Sequence, residues 1–480
     1  MIPVTGFSPD ADPTTPGVVV DCLAMLPTLR GMAGAPSAVI PTGVPALAAE
    51  CRGAAVVSST TGARRVLAGT QTKLYELVGT SWTDVSAGTY TGGVDSRWSF
   101  AQFGNATIAT NNADTIQAST GTNFSAIATA PRARFVVAAA NFVIAFNTTD
   151  GTFGASPDRW WCSEFQNHAG WTPSVTTQAT TGRLIGDGGE LTAANRLGQN
   201  VVAYKNKSMY LGSYVGAPVV WQWDQVPGEV GCVGPEACVD VGGAHIFVGE
   251  DNIWFYDGTR PVSIAEGQVR EWFFANSSPT YRFRTILSFD RHNNRVHIHF
   301  PSAANTTGIP DRTIVYHIGR RAWGKADAVT QAALQFVSPG VTYDTNVGTY
   351  DTQLDASFDS QIFLAGGRLN AAFNGSNQIV TYSGAAASSS LTTGDIGDDD
   401  GASMLRRARP RFKVEPSSAV AYGYTKSGEG RALVSASSAS LTDSGFDVRQ
   451  TARWHRLRFD FTGDHEVTAL GLDLVKAGKR

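Results

Sequence analysis

The stretch Ile253–Ile264 reads IWFYDGTRPVSI: an aromatic strand, a turn at Asp257-Gly258 and a second short strand. Similar segments, each an apolar or aromatic run followed by a Gly-bearing turn, begin at residues 73, 115, 160, 209, 253, 314 and 380, which are 42, 45, 49, 44, 61 and 66 residues apart. Periods of about 40–50 residues with about four short strands each are typical of β-propeller blades. The two longest intervals predict insertions.

The composition favours strands and tight turns over helices. The chain of 480 residues is 42% hydrophobic and only 16% charged, and it contains 51 glycines. We predict an all-β fold, namely a β-propeller. The number of blades is six or seven, because the last repeat is weak. A two-sheet sandwich is the alternative, but it does not account for the period. Within the propeller, Ile253–Ile264 is expected to be the middle hairpin of one blade.

Three regions are predicted along the chain. Residues 1–45 form an N-terminal arm, because TGFSPDADPTTPG at 5–17 disfavours helix and central strand. This arm should lie along a surface of its own chain or of a partner. Residues 46–384 form the propeller. Residues 385–480 form a polar loop, AAASSSLTTGDIGDDDGAS, followed by a small C-terminal β unit. The acidic run in that loop lacks EF-hand spacing and favours a solvated loop over a calcium site.

Charge is distributed unevenly. The net charge is −3, which excludes a whole-chain electrostatic binder of nucleic acid. Residues 401–480 hold fourteen Lys and Arg against eight Asp and Glu, a surplus of +6, so the first 400 residues carry −9. Seven arginines account for most of this surplus: Arg406, Arg407, Arg409, Arg411, Arg453, Arg456 and Arg458. They are interpreted either as an interface with a partner protein or as side chains that are simply solvated.

The cysteines and the N-terminus indicate a protein made in a reducing cytoplasm. The five cysteines form no even disulfide framework and are predicted to be buried small hydrophobes: Cys22, Cys51, Cys162, Cys232 and Cys238. The first residues lack the charged and apolar regions of a signal peptide. No apolar run approaches the length of a membrane span.

No catalytic constellation is visible, so we predict no enzyme, no metal and no cofactor. His292, His297 and His299 are the nearest approach to a metal site, but a surface hairpin is the favoured interpretation. The turns share a tryptophan with the Asp-box of sialidases but not its residue order, and no paired carboxylates can be placed. No nucleophile elbow, Walker loop or HExxH motif occurs.

Four tryptophans recur after the turns of their repeats. We predict that they occupy equivalent positions in their blades, and we favour packing between blades over glycan binding as their role: Trp82, Trp171, Trp254 and Trp323. Trp254 and Phe255 should point to opposite faces of one strand, and at least one of them should be buried.

The segment Tyr204–Phe274 resembles the tail nozzle, or tail tubular protein B, family of short-tailed bacteriophages. The resemblance rests on a Lys-Asn turn followed by an aromatic strand, on the turn GCVGP at 231–235 and on IWFYDGTRPVSI. DRWWCSEFQNHAGWTPS at 158–174 and the ending RWHRLRFDFTGDHEVTALGLDLVKAGKR at 453–480 are also similar. The similarity extends over most of the chain, although the insertions that form a gate in some members are not identifiable.

This resemblance implies a virion structural protein, made in the host cytoplasm and located in the tail. Six copies would form a ring below the adaptor that joins tail to portal, in contact with a tail fibre or spike protein. DNA would pass through without tight binding, which suits an acidic main body because Lys and Arg contacts would retain the polyanion. The alternatives are a receptor- or glycan-binding propeller and a glycosidase-type propeller.

Overall fold

The computed structural model describes residues 1–337, 368–428 and 430–478. Within these ranges the chain is almost entirely β-strand, with one α-helix at Arg270–Asn276 and one 3-10 helix at Arg282–Arg284. No helix in the described ranges is long and apolar enough to cross a membrane. The all-β prediction is confirmed.

Seven units of four antiparallel strands form a β-propeller, and six of them are separate sheets. We number the blades along the chain and their strands from the centre outward. The strands of blades 1 to 3 are Ala54–Ser58, Arg64–Gly69, Leu74–Val78 and Ser81–Asp84; Ser99–Phe103, Ala106–Thr110, Gln117–Ser119 and Ser125–Ala126; and Arg132–Ala139, Phe142–Asp150, Gly154–Cys162 and Thr180–Arg183.

The four remaining blades complete the circle. The strands of blades 4 and 5 are Ala193–Leu197, Asn200–Tyr204, Met209–Gly216 and Val220–Gln225; and Cys238–Asp240, His245–Val248, Ile253–Tyr256 and Val262–Ser263. Those of blades 6 and 7 are Ile286–Asp290, Arg295–Phe300, Arg312–His317 and Ala322–Lys325; and Ala332–Val337, Arg368–Phe373, Ile379–Ala386 and Pro36–Val39. Blade 6 is the one blade that belongs to a larger sheet.

The first strands contact one another in succession, and that of blade 7 contacts that of blade 1, so the ring is closed. Each of the seven sequence repeats coincides with the third strand of one blade. The insertion predicted between residues 253 and 314 contains the α-helix and the 3-10 helix. The insertion predicted between 314 and 380 falls largely on 338–367, outside the described residues.

The segment Ile253–Ile264 is an outer hairpin, not the middle hairpin that we expected, because it joins the third and fourth strands of blade 5. The turn is made as predicted by Asp257 and Gly258. Gly258 has a φ of +100°, a conformation that glycine adopts without a Cβ clash. The carboxylate of Asp257 accepts a hydrogen bond from the Thr259 backbone N–H at 3.0 Å. Hydrogen bonds from the Thr259 hydroxyl and backbone lower the pKa of Asp257.

The propeller is closed by a strand from the other end of the chain. Pro36–Val39, which the sequence assigned to the arm, pairs with Ile379–Ala386 as the fourth strand of blade 7. Residues before it enter a second lobe, so the N-terminal segment lies along its own chain.

This second lobe is a sandwich of two sheets packed on one shared core. One sheet continues blade 6 outward through Met25–Pro27, Met32–Gly34, Glu466–Gly478, Ala402–Val414 and Gln450–Ala452, with Ile2–Pro3 beside Glu466–Gly478. The other contains Gly6–Phe7, Val18–Leu23, Ser388–Thr393, Trp454–Thr462, Ser418–Lys426 and Val434–Ser440, with Ile396–Gly397 at its side.

Part of the predicted polar loop 385–403 is instead a strand in the middle of the second sheet. Ser388–Thr393 pairs with Val18–Leu23 on one side and with Trp454–Thr462 on the other. Leu391 is 3% exposed and provides the apolar contact. Small hydroxyl side chains fit a central strand when their hydrogen bonds are met, as when the Ser389 hydroxyl bonds to His465 at 3.2 Å. Composition alone therefore misassigned this segment.

The N-terminal segment is also attached to the propeller through Asp10. Its carboxylate accepts hydrogen bonds from the backbone N–H groups of Glu271, at 2.6 Å, and Trp272, at 3.0 Å, at the start of the α-helix. Phe7 packs edge-on against Trp272 with ring centroids 5.1 Å apart. Two otherwise unpaired helical N–H groups are thus bonded by a residue distant in sequence.

We expect Asp10→Ala to lower the free energy of unfolding by about 1–2 kcal/mol, because both N–H groups lose their acceptor. Amide hydrogen exchange should quicken at Glu271 and Trp272. Asp12→Ala is the matched control, since the side-chain bonds of Asp12 are confined to Thr14. Equal protection of the helix in both variants would contradict this anchoring role.

Candidate partner interface

A small cavity of about 220 Å³ lies at the propeller axis, and every blade contributes to its wall. Arg97 and Glu236 lie in this wall, and Arg97 Nε is 2.6 Å from Glu236 Oε2. Arg97 also donates to the Gln331 backbone carbonyl at 2.8 Å. Burial opposes the charge of Arg97, but the Glu236 carboxylate outweighs it and raises the pKa of Arg97.

Arg97 lies just before the first strand of blade 2, and Glu236 lies just before the first strand of blade 5. The ion pair therefore joins segments on different sides of the axis. A cavity of 220 Å³ is far too small for a DNA duplex, whose major groove alone is about 12 Å wide. The sequence did not reveal the pair, because its members are 139 residues apart. The axis of a single propeller is therefore not a DNA path.

The lining of this axial cavity tests the glycosidase alternative, because glycoside hydrolysis requires two carboxylates flanking the scissile bond. Among the residues that line the cavity, the only carboxylate is Glu236, and it is ion-paired with Arg97. The lining of the cavity therefore does not supply the paired acid and base.

The predicted histidine hairpin is not a surface hairpin. His297 and His299 lie on the second strand of blade 6 at 7% and 2% exposure, because neighbouring blades cover both faces of that strand. Burial, with the charge of Arg295 added, lowers the pKa of His297 to about 3. Burial and His297 lower the pKa of His299 to about 3. His292 is exposed, and no group of three metal-ligating residues occurs in the described ranges.

The five cysteines are buried and free of disulfides, as the sequence predicted. Burial raises the pKa of Cys51 and of Cys232 to about 12. Thiols in this state are poor nucleophiles, so they serve as small core residues.

The four predicted tryptophans do not occupy equivalent positions. Trp82 and Trp323 are both second in the fourth strand of their blades, Trp254 is in a third strand, and Trp171 lies in a loop. Trp171 is 1% exposed and packs with core residues of blades 2 and 3. Trp82 is half-buried, with its ring 5.7 Å from that of Phe373 in blade 7.

The expectation that Trp254 or Phe255 is buried is wrong. Both are half-buried, whereas Ile253 and Tyr256 at the ends of the same strand are 0% and 1% exposed. Trp254 and Phe255 pack against the apolar core that includes Ile253 and Tyr256 but are covered by it only in part.

The seven predicted interface arginines divide into two groups. Arg407 is half-buried and donates to the Thr442 carbonyl at 2.6 Å. Arg456 Nε is 2.8 Å from Asp395, which also pairs with Lys426. Arg458 pairs with Asp460 on its own strand at 2.7 Å, and Arg453 is half-buried just before that strand. Arg453, Arg456 and Arg458 lie on or just before a strand of the other sheet, whereas Arg407 is on the same strand as the remaining three.

The second group, which we call the arginine strip, consists of Arg406, Arg409 and Arg411 on Ala402–Val414. All three are exposed, whereas the alternate residues Leu405, Ala408 and Pro410 are buried. No ion pair of these three cations is found within the described residues. The arginine strip is therefore the candidate partner interface. A charge reversal at Arg407 would also break its hydrogen bond to the Thr442 carbonyl.

The comparisons with known proteins are limited to fold. No family model and no curated protein matches the chain. The solved structures that it resembles include a computationally designed protein, Ika8, at 11% identity and TM-score 0.34, covering 70% of this chain and 97% of that one. YCF48 bound to D1 peptide is 13% identical at TM-score 0.37, covering 74% and 97%. YCF48 from Cyanidioschyzon merolae is 10% identical at TM-score 0.36, covering 63% and 93%. Similarity at this level carries no argument about function.

Proposed function

We propose that this chain is a structural protein in the tail of a short-tailed bacteriophage, one subunit of a ring that forms the nozzle for DNA. The observation that carries the proposal is the resemblance of Tyr204–Phe274 to that family. In the structure this segment runs without interruption from the second strand of blade 4 to the α-helix after blade 5.

The closed propeller axis favours a DNA path formed between several copies and argues against a path through the centre of one copy. Because the Arg97–Glu236 pair and the small cavity leave no room for a duplex, DNA has to pass beside the propellers. Several copies around one axis provide such a path, and their mainly acidic bodies would not retain the polyanion.

The way in which the two lobes are joined also suits a load-bearing part. The N-terminal segment contributes strands to both sandwich sheets and closes blade 7, while the sheet of blade 6 continues into the sandwich. Separating the lobes would therefore break strand pairing in at least two places.

The glycan-binding alternative loses its best candidate residues. None of the eleven tryptophans is exposed, and Trp171, one of the four predicted candidates, is 1% exposed. A buried ring cannot stack on a sugar, so loss of binding in Trp171→Ala would report unfolding.

Electron microscopy of the purified chain and of the particle that carries it tests the proposal. We expect closed rings of six copies, located at the distal end of the tail. A glycan array on the same preparation distinguishes the alternative. A monomeric chain that binds glycans selectively, together with particles that lack a ring of copies, would overturn the proposal.

A further inference from the structure

Two exposed aromatic rings in contact, with two exposed valines in the same hairpin as one of the rings, lie at the edges of blades 3 and 4 and are called the aromatic patch. Its members are Phe165, Tyr214, Val215 and Val219, which are 37%, 39%, 51% and 59% exposed. The rings of Phe165 and Tyr214 are stacked, with centroids 6.4 Å apart and planes at 11°. Both rings lie 5.4 Å from the buried ring of Phe142. Adjacent exposed apolar residues of this kind mark interaction sites.

The patch is held in place by the loop between the third and fourth strands of blade 3. The Phe165 backbone N–H donates to the Thr177 carbonyl at 3.0 Å. The Tyr214 hydroxyl donates to Gln178 Oε1 at 2.8 Å, which links blade 4 to that loop. Rigid aromatic side chains that need no reordering are the usual centres of protein interfaces.

The two chain segments that contain the aromatic patch carry no positively charged side chain. Residues 160–182 and 208–228 contain no Lys or Arg. Glu164 precedes Phe165, and Asp224 is exposed on the fourth strand of blade 4. The complementary surface should therefore combine apolar contacts with cations, and guanidinium groups in particular, because they stack on aromatic rings.

The arginine strip has these properties. Its three cations lack an ion-pair partner within the described residues, as shown above. An exposed apolar residue, Val414 at 44% exposure, lies on the same strand. The strip belongs to a sheet that extends blade 6 outward, and blade 6 is three blades from blade 3 around the ring. One copy cannot join its own two surfaces.

We propose that the arginine strip of one copy docks on the aromatic patch of a second copy. The contact is head to tail, and repetition of a head-to-tail contact closes a ring when the rotation permits. The inference rests on the proposed function, since it supplies the contact between neighbours of the nozzle ring.

A charge exchange between copies tests this contact. The first variant, Val215→Lys with Val219→Lys, places cations in the aromatic patch. The second, Arg409→Glu with Arg411→Glu, places anions in the arginine strip. All four residues are exposed, so each chain should fold normally. Controls are Val78→Lys and Arg260→Glu, at exposed residues of blades 1 and 5.

Sedimentation velocity at low and high salt is the measurement. Each double variant alone should lose self-association at least tenfold in apparent affinity, whereas the controls should assemble like the unaltered chain. Mixing the two variants should restore pairing through new Lys–Glu contacts on one side and native contacts on the other, in a salt-sensitive manner.

Failure of this contact and failure of the nozzle proposal give different results. If the unaltered chain forms rings and both double variants do so equally well, the contact is wrong while the nozzle proposal stands. Variants that stay apart after mixing also overturn the contact. If the unaltered chain never associates and particles show no ring, the nozzle proposal itself fails.

Discussion

Replacing Trp323 by alanine is expected to lower the free energy of unfolding by about 3–5 kcal/mol. Trp323 is 0% exposed, and its ring lies 4.6 Å from that of Tyr316. The backbone of Gly6 approaches so closely that a Cβ there would lie 3.1 Å from the Trp323 carbonyl oxygen. Truncation would leave a cavity where blade 6 meets the sandwich, because a close-packed interior refills such a space only in part.

Trp82→Ala is the matched control, because Trp82 has the same place in the fourth strand of blade 1. It is half-buried and its Nε1 donates to the Pro45 carbonyl at 3.0 Å, so we expect a loss of about 1–2 kcal/mol. Trp323→Phe should cost less than Trp323→Ala, since Trp323 Nε1 has no hydrogen-bond partner among the described residues. Urea unfolding measures all three. Equal losses in Trp82→Ala and Trp323→Ala would contradict the burial argument.

Acid should destabilise the protein steeply through blade 6. His297 and His299 have folded-state pKa values of about 3 against an ordinary value of 6.5, so the unfolded chain binds more protons between these limits. Their contribution to stability is complete above pH 6.5 and is lost as the pH falls toward about 3. Within that window each histidine adds up to about 1.4 kcal/mol per pH unit to the slope.

The variant His297→Leu should flatten this slope by about 1.4 kcal/mol per pH unit, because one titrating imidazole is removed. Leucine is tolerable there, since Nε2 of His297 has no hydrogen-bond partner in the described structure. His292→Gln, in the exposed turn of the same hairpin, is the control and should retain the original slope. Unfolding free energies measured by urea titration from pH 7 to pH 4 decide the matter. An unchanged slope in His297→Leu would show that these histidines are not the acid-sensitive groups.

The sequence by itself determined the elements whose signals are local. The period of the Gly-bearing turns located a third strand in every blade, because each blade has to repeat the same four-strand unit. The Asp257-Gly258 turn followed from glycine's access to positive φ. Leu457, Phe459 and Phe461 alternate with charged residues along Trp454–Thr462 and are buried, since strand side chains alternate between faces.

Only the tertiary structure decided how deeply residues of the same type and similar local position are buried. Trp82 and Trp323 share one local position, yet only Trp323 is fully buried, because the sandwich extends the sheet beyond blade 6 alone. Arg407 is half-buried by its contact with the Thr442 carbonyl, whereas Arg409, two residues later, stays exposed. The patch of Phe165 and Tyr214 joins residues 49 positions apart on different blades. Local periodicity reports the repeating unit, but coverage of a side chain depends on contacts between segments that are distant in sequence.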